Sequence, residues 1–187
     1  LLWEEIGKRI RNARVPLPGR SSVMRHQITG GWYAIGISAS DGVSFQGFHA
    51  ENLMVVFDEA SGIADDIWDA AEGIAVGANN KILAIGNPLS ANGKFYKIFR
   101  DRKIWKLITV SALEHPNITG KGNLIPGAVT RESVEDRVIE WCKPFEKHVG
   151  GEIPKSDHLN WNGAIYVPND LFRARVMGEF PTSSDGS

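Results

Sequence analysis

The chain has 187 residues, 42% apolar and 23% charged, with a formal net charge of −1 and one cysteine, Cys142. That suits a globular domain with a real core, and it excludes an internal disulfide or a thiolate metal cluster. No apolar run approaches the length of a membrane span, and His26, His49, His115, His148 and His158 lack the paired spacing of a structural zinc site.

The start, "LLWEEIGKRI", is no signal peptide, lacks an initiating Met and reads as mid-helix, as in a piece of a longer protein. Charge is segregated. Lys8, Arg9, Arg11, Arg14, Arg20 and Arg25 crowd the beginning, against Glu4 and Glu5. From Asp41 to Glu72 every charged residue is acidic, and from Lys81 to Lys106 the chain is basic apart from Asp101. Such a pattern is first of all that of solvated helix faces, and would also suit a polyanion partner beside a cation site.

Leu2, Ile6, Ile10 and Ala13 form one helical stripe over 2–13, which "VPLPG" ends. "GWYAIGIS", 31–38, predicts a strand. "ENLMVVFDEA", 51–60, and "KILAIG", 81–86, are continuous apolar runs of the kind found in strands buried on both faces. Between them Ile67, Ala70, Ala71 and Ile74 point a helix over 65–76 inward. A helix over 93–101 and a strand at 104–112 follow. Alternating strands and helices imply a mainly parallel α/β sheet.

Beyond 112 the pattern loosens. "HPNITGKGNLIPG" and "GGEIPKSDHLNWNG" read as loops. Thr130 can cap a helix carrying Val134, Val138 and Trp141 until Pro144 stops it, and a short helix lies within "VPNDLFRARVMGEFP". Cys142 reads as an inert core thiol and His49 as a structural histidine.

"ILAIGNPLSANGKFYKIF" imitates a phosphate-binding loop without being one. Gly86 and Gly93 enclose six residues where the template needs four, Pro88 lacks an amide, and Phe95 follows Lys94 where a hydroxyl belongs. What remains is a strand ending in Gly86-Asn87-Pro88, with Asn87 able to donate and accept at its tip. The preceding strand ends in Asp58-Glu59. In phosphoryl-transfer ATPases a strand-end aspartate holds the magnesium shell and a neighbouring carboxylate orients the attacking water. Two adjacent carboxylates at a buried strand end would need a cation or hydrogen bonds to offset their burial. Asp65, Asp66 and Asp69 need no such role, because a helix amino terminus favours negative charge.

"FQGFHAENLMVVFDEASGIADDIWDAAEGI" followed by "NNKILAIGNPLSANGKFYKIF" resembles the large terminase subunit of tailed bacteriophages or prophages. "VSALEHPN", "LIPGAVTRESVE" and "ARVMGEFP" continue the resemblance in order. It implies a RecA-like P-loop NTPase fold of the ASCE type, incomplete here because the Walker A strand and loop lie upstream. Residues 1–112 would be the central and later part of the ATPase core. Residues 113–187 would be its C-terminal part, leading toward a nuclease domain. By the same resemblance Asp58 is the magnesium-coordinating Walker B aspartate (through water), Glu59 the catalytic glutamate, and Gly86, Asn87 and Pro88 the nucleotide-sensing, coupling motif. The implied cofactors are ATP and Mg2+. The implied partners are double-stranded DNA, the portal protein and the small terminase subunit, in a ring on the portal within the host bacterial cytoplasm and away from membranes. Which residues touch DNA is not implied; Arg9–Arg14 and Lys94–Lys106 are the candidate groups. Without the Walker A loop the chain alone is not expected to hydrolyse ATP. The alternatives are another P-loop DNA motor or helicase, and an inactive ATPase-like module that binds portal or DNA.

Overall fold

The computed structural model describes residues 2–38, 47–101, 104–145 and 158–182. They divide into two compact units, the first formed by Leu1–Asp58 and Ile63–Leu83 and the second by Glu59–Gly62 and Ala84–Ser187. The architecture is mixed α/β, as expected, but among the described residues parallel pairing is confined to a small two-stranded sheet.

The first unit opens with α1, Leu2–Arg11, whose Glu4 and Glu5 precede Lys8, Arg9 and Arg11 in the order the helix dipole favours. On its apolar stripe Leu2 is exposed and Ile6 and Ile10 are half-buried. The Trp3 ring closes on Gly36, where an added Cβ would lie 3.3 Å from the ring carbons. Three antiparallel strands follow: β1, Arg20–Ser22, β2, Arg25–Thr29, and β3, Trp32–Ile35. The third lies inside the strand expected at 31–38. The first two are an addition, since their polar residues carry no apolar alternation to read.

Strand β4, Met54–Phe57, helix α2, Asp65–Ile74, and strand β5, Lys81–Ala84, form the parallel unit. Its direction is fixed by one bond before the strands, Lys81 N–H to Leu53 O at 2.8 Å, and one after them, Ala60 N–H to Ile85 O at 2.9 Å. Helix α2 buries Ile67, Trp68, Ala71 and Ile74, and the Phe57 and Trp68 rings lie 4.4 Å apart. Burial on both strand faces is overturned. Val55 and Phe57 are buried, whereas Met54 is 60% and Val56 44% exposed, and Leu83 is 41% exposed. With period two, one face meets the helix and the other has no layer over it among the described residues.

The second unit contains α3, Gly93–Arg100, the single turn α4, Pro116–Thr119, and α5, Arg131–Trp141. Thr130 caps α5 in a reciprocal box with Ser133. Strands β6, Cys142–Pro144, β7, Leu159–Trp161, and β8, Ala164–Pro168, form an antiparallel sheet in the order β6-β8-β7. The two-residue link Asn162-Gly163 has positive φ at both positions, 50° and 81°, as a tight hairpin with the strands' own twist requires. Helix α6, Asp170–Phe172, continues as a widened turn through Met177. Ile118, Val134, Val138, Cys142, Leu159, Trp161, Phe172 and Val176 close one core. Burial pushes the Cys142 thiol up to about 11, opposed by the Arg173 charge, which agrees with an inert core thiol.

The strand expected at 104–112 does not form. Residues 105–111 belong to no strand among the described residues, and Ile104, Ile108 and Val110 are exposed. An apolar, branched segment becomes a strand only when a partner edge meets its amides. His148 lies outside the described residues.

Candidate functional site

Chain direction places Asp58 and Gly86 just past the carboxyl ends of β4 and β5, the edge at which parallel α/β sheets carry their function. Asp58 is the last residue of the first unit's opening segment and Glu59 begins the second unit's. Both are exposed, so the burial cost expected of two adjacent carboxylates is not incurred.

Glu59 has φ +52°, a left-handed conformation that costs an L-residue with a Cβ roughly 1–2 kcal/mol. The surroundings hold it there. Its carbonyl accepts from Gly62 N–H at 2.9 Å, closing a tight 3₁₀ turn over Ala60–Gly62. Ala60 is fully buried, and its amide donates to Ile85 O at 2.9 Å. Gly86 makes the approach possible: a Cβ there would stand 2.8 Å from Ala60 N and 3.4 Å from the Glu59 carbonyl carbon. The glutamate turn and the Gly-Asn-Pro turn are thus strapped backbone to backbone. Ala60, which no sequence signal singles out, is the residue that joins them.

Past Gly86, Asn87 is exposed and Pro88 buried, and Leu89 N–H donates back to Asn87 O at 2.9 Å. A tight turn anchored by a buried proline therefore presents the asparagine. Helix α3 starts five residues later, at Gly93. Its Phe95, Tyr96 and Phe99 rings lie 5.8, 5.1 and 5.1 Å from that of Phe180. The segment after the Gly-Asn-Pro turn is thereby tied to the chain's "GEFP" stretch.

Among the described residues no group of three or more His, Cys, Asp or Glu gathers as a metal cage. Magnesium does not ask for one. It binds through one or two carboxylates and keeps waters and substrate phosphates for the remaining positions, which Asp58 beside Glu59 can serve.

A curated protein of Enterobacteria phage P7, described as "Probable terminase, large subunit", is 38% identical over 140 residues, 75% of this chain. That match supports a fragment of a terminase large subunit. The chain spans 23% of the length of that phage P7 terminase. No family model matches the chain, and no solved structure does. Among its described residues no helix is long and apolar enough to cross a membrane.

Proposed function

We propose that this chain carries the hydrolytic and sensing edge of the ATP-driven motor that moves double-stranded DNA into phage heads. The reading rests on one observation above all, the strapping of the Glu59 turn to Gly86 through Ala60. It gives the strain at Glu59 a purpose, because a left-handed glutamate held by a buried neighbour is a preorganised one.

Asp58 would hold Mg2+ through water, and the ion would neutralise charge on the terminal phosphates. Glu59 would accept a proton from the water that attacks the terminal phosphoryl group, a contribution of about 10²–10⁴-fold. Asn87, at the tip of its turn, would hydrogen-bond the terminal phosphate and register its loss. Gly86 supplies the close approach and Pro88 the anchor. The fold that this implies for the full-length protein is RecA-like, of the P-loop NTPase class, with the phosphate-cradling loop supplied by residues other than these, since no Gly-x₄-Gly-Lys-Ser/Thr occurs here. The site of action would be the host bacterial cytoplasm, with the portal protein and the small terminase subunit as partners and a ring of subunits as the working assembly.

The test uses the full-length protein. Glu59→Gln is expected to lower ATP turnover by at least about 10²-fold with ATP affinity kept within a few-fold. Near-normal turnover removes Glu59 from the chemistry. Asn87→Ala is expected to impair DNA packaging more than ATP binding, and unimpaired packaging removes it from coupling.

A further inference from the structure

From Ile6 to Ser40 the chain contains no aspartate or glutamate, yet it carries Lys8, Arg9, Arg11, Arg14, Arg20 and Arg25. Lys8 and Arg9 are met by Glu5 at 3.6 and 2.9 Å. Arg20 and Arg25 sit on the β1–β3 meander, where neither meets a carboxylate among the described residues.

The register decides what surrounds them. Arg20 pairs with Gln27 and Gln27 with Tyr33; Ser22 pairs with Arg25 and Arg25 with Ile35. Two-residue periodicity puts these two rows on one face. On it Arg20, Ser22, Arg25 and Tyr33 are exposed. Arg20 is diagonal to Arg25 across the ladder, a separation of about 7–8 Å between backbones.

The Arg25 guanidinium lies over the Tyr33 ring, 4.4 Å from its centroid. Stacking uses the flat face of the guanidinium and leaves the N–H donors at its edge for another acceptor. Arg20 borders a polar depression of about 470 Å³ lined by Gly19, Gln27, Ile28, Thr29 and Gly30. Gly19, at φ +109°, shapes its wall; a Cβ there would meet Gln27 O at 2.5 Å.

We propose that this face of the meander grips the phosphate backbone of duplex DNA through Arg20 and Arg25. The proposal rests on the preceding reading for DNA as the partner and adds the surface that touches it. An acid-free pair of guanidiniums, one pinned on a ring and one beside a polar depression, matches phosphate in charge and in donor geometry. Because Arg25 already covers the Tyr33 ring, this face offers cations and no stacking platform. That favours a duplex backbone over unpaired bases.

The experiment measures anisotropy of a fluorescent mixed-sequence duplex of about 20 base pairs with the full chain, between about 50 and 200 mM salt. The doubly substituted Arg20→Gln/Arg25→Gln protein is expected to bind about tenfold more weakly at the low-salt end. Its slope of log affinity against log salt should be shallower by about 2. Arg20→Lys/Arg25→Lys, which keeps the charge, should hold the slope and lose only a few-fold; a loss equal to that of the glutamine protein overturns the proposal. So does unchanged affinity and slope in the glutamine protein, or tighter binding of the single strand than of the duplex. If the arginine variants bind normally while Glu59→Gln still abolishes turnover in the full-length protein, the surface assignment falls and the motor reading stands. If Glu59→Gln turns over normally while the arginine variants lose DNA, the reverse holds.

Discussion

The core around Phe172 and the layer built from β4, α2 and β5 use strands of similar length, yet they end differently. Around Phe172 a hairpin, a third strand and three helices enclose their apolar side chains, and Val134, Val138 and Phe172 are almost wholly shielded. In the parallel layer α2 covers one face, while Met54, Val56 and Leu83 stand exposed on the other. The proposed chemistry belongs to the loops that leave this half-covered layer. Side-chain enclosure is deepest around Phe172, where no function is proposed, and the strained Glu59 is itself exposed.

The contrast can be broken most directly at Phe172. Phe172→Ala should destabilise the chain by about 3–5 kcal/mol in urea unfolding, because it empties a fully enclosed site. A cost under about 1 kcal/mol would mean the core is not closed as described. Next is pH. The Cys142 thiol titrates at about 11 in the folded chain against 9.0 for the free group. The folded state therefore keeps its proton in a range where the unfolded chain has lost it. Stability from this group is whole below about pH 9 and declines as pH rises toward about 11, by on the order of 2 kcal/mol. Unfolding midpoints measured across that range should fall, and Cys142→Ala should flatten the decline.

Glu59→Gly sharpens the comparison from the other side. Glycine accepts φ +52° without the side-chain penalty, so the substitution should raise stability by up to about 1 kcal/mol, the glycine's own entropy cost offsetting part of the gain. A loss above about 1 kcal/mol would show that the glutamate side chain, and not its function, justifies the strain. Val56→Thr on the open face should change stability by less than about 0.5 kcal/mol. A cost above about 1.5 kcal/mol in the same chain would show that face to be covered after all.

Much of this architecture is legible in the amino-acid sequence. Helices α2, α3 and α5 announce themselves by periodic apolar residues and, for α5, by Thr130 as its cap. Asp58, Glu59 and Asn87 stand at the ends of apolar runs. The β7–β8 hairpin also has a readable sign, Asn162-Gly163, but it lies within a polar stretch that reads as loop. Trp68 falls outside the inward stripe of Ile67, Ala70, Ala71 and Ile74 because it follows Ile67 directly, yet the buried face of α2 is wide enough to take both. Strands β1 and β2 give no sign in apolar pattern, because their residues are mostly polar and none is buried, whereas β3 lies within the strand read at 31–38.

Local chemistry settled which segments are helical, where the parallel strands lie and which carboxylates and amide end them, because helix periods, caps and apolar runs act over a few residues. It could not say that the run at 104–112 forms no strand among the described residues, that β4 and β5 are covered on one side only, or that Gly86 lets Ala60 close on it. Those outcomes depend on whether a distant backbone arrives to accept a hydrogen bond or fill a face. That is a property of the assembled chain and not of any stretch within it.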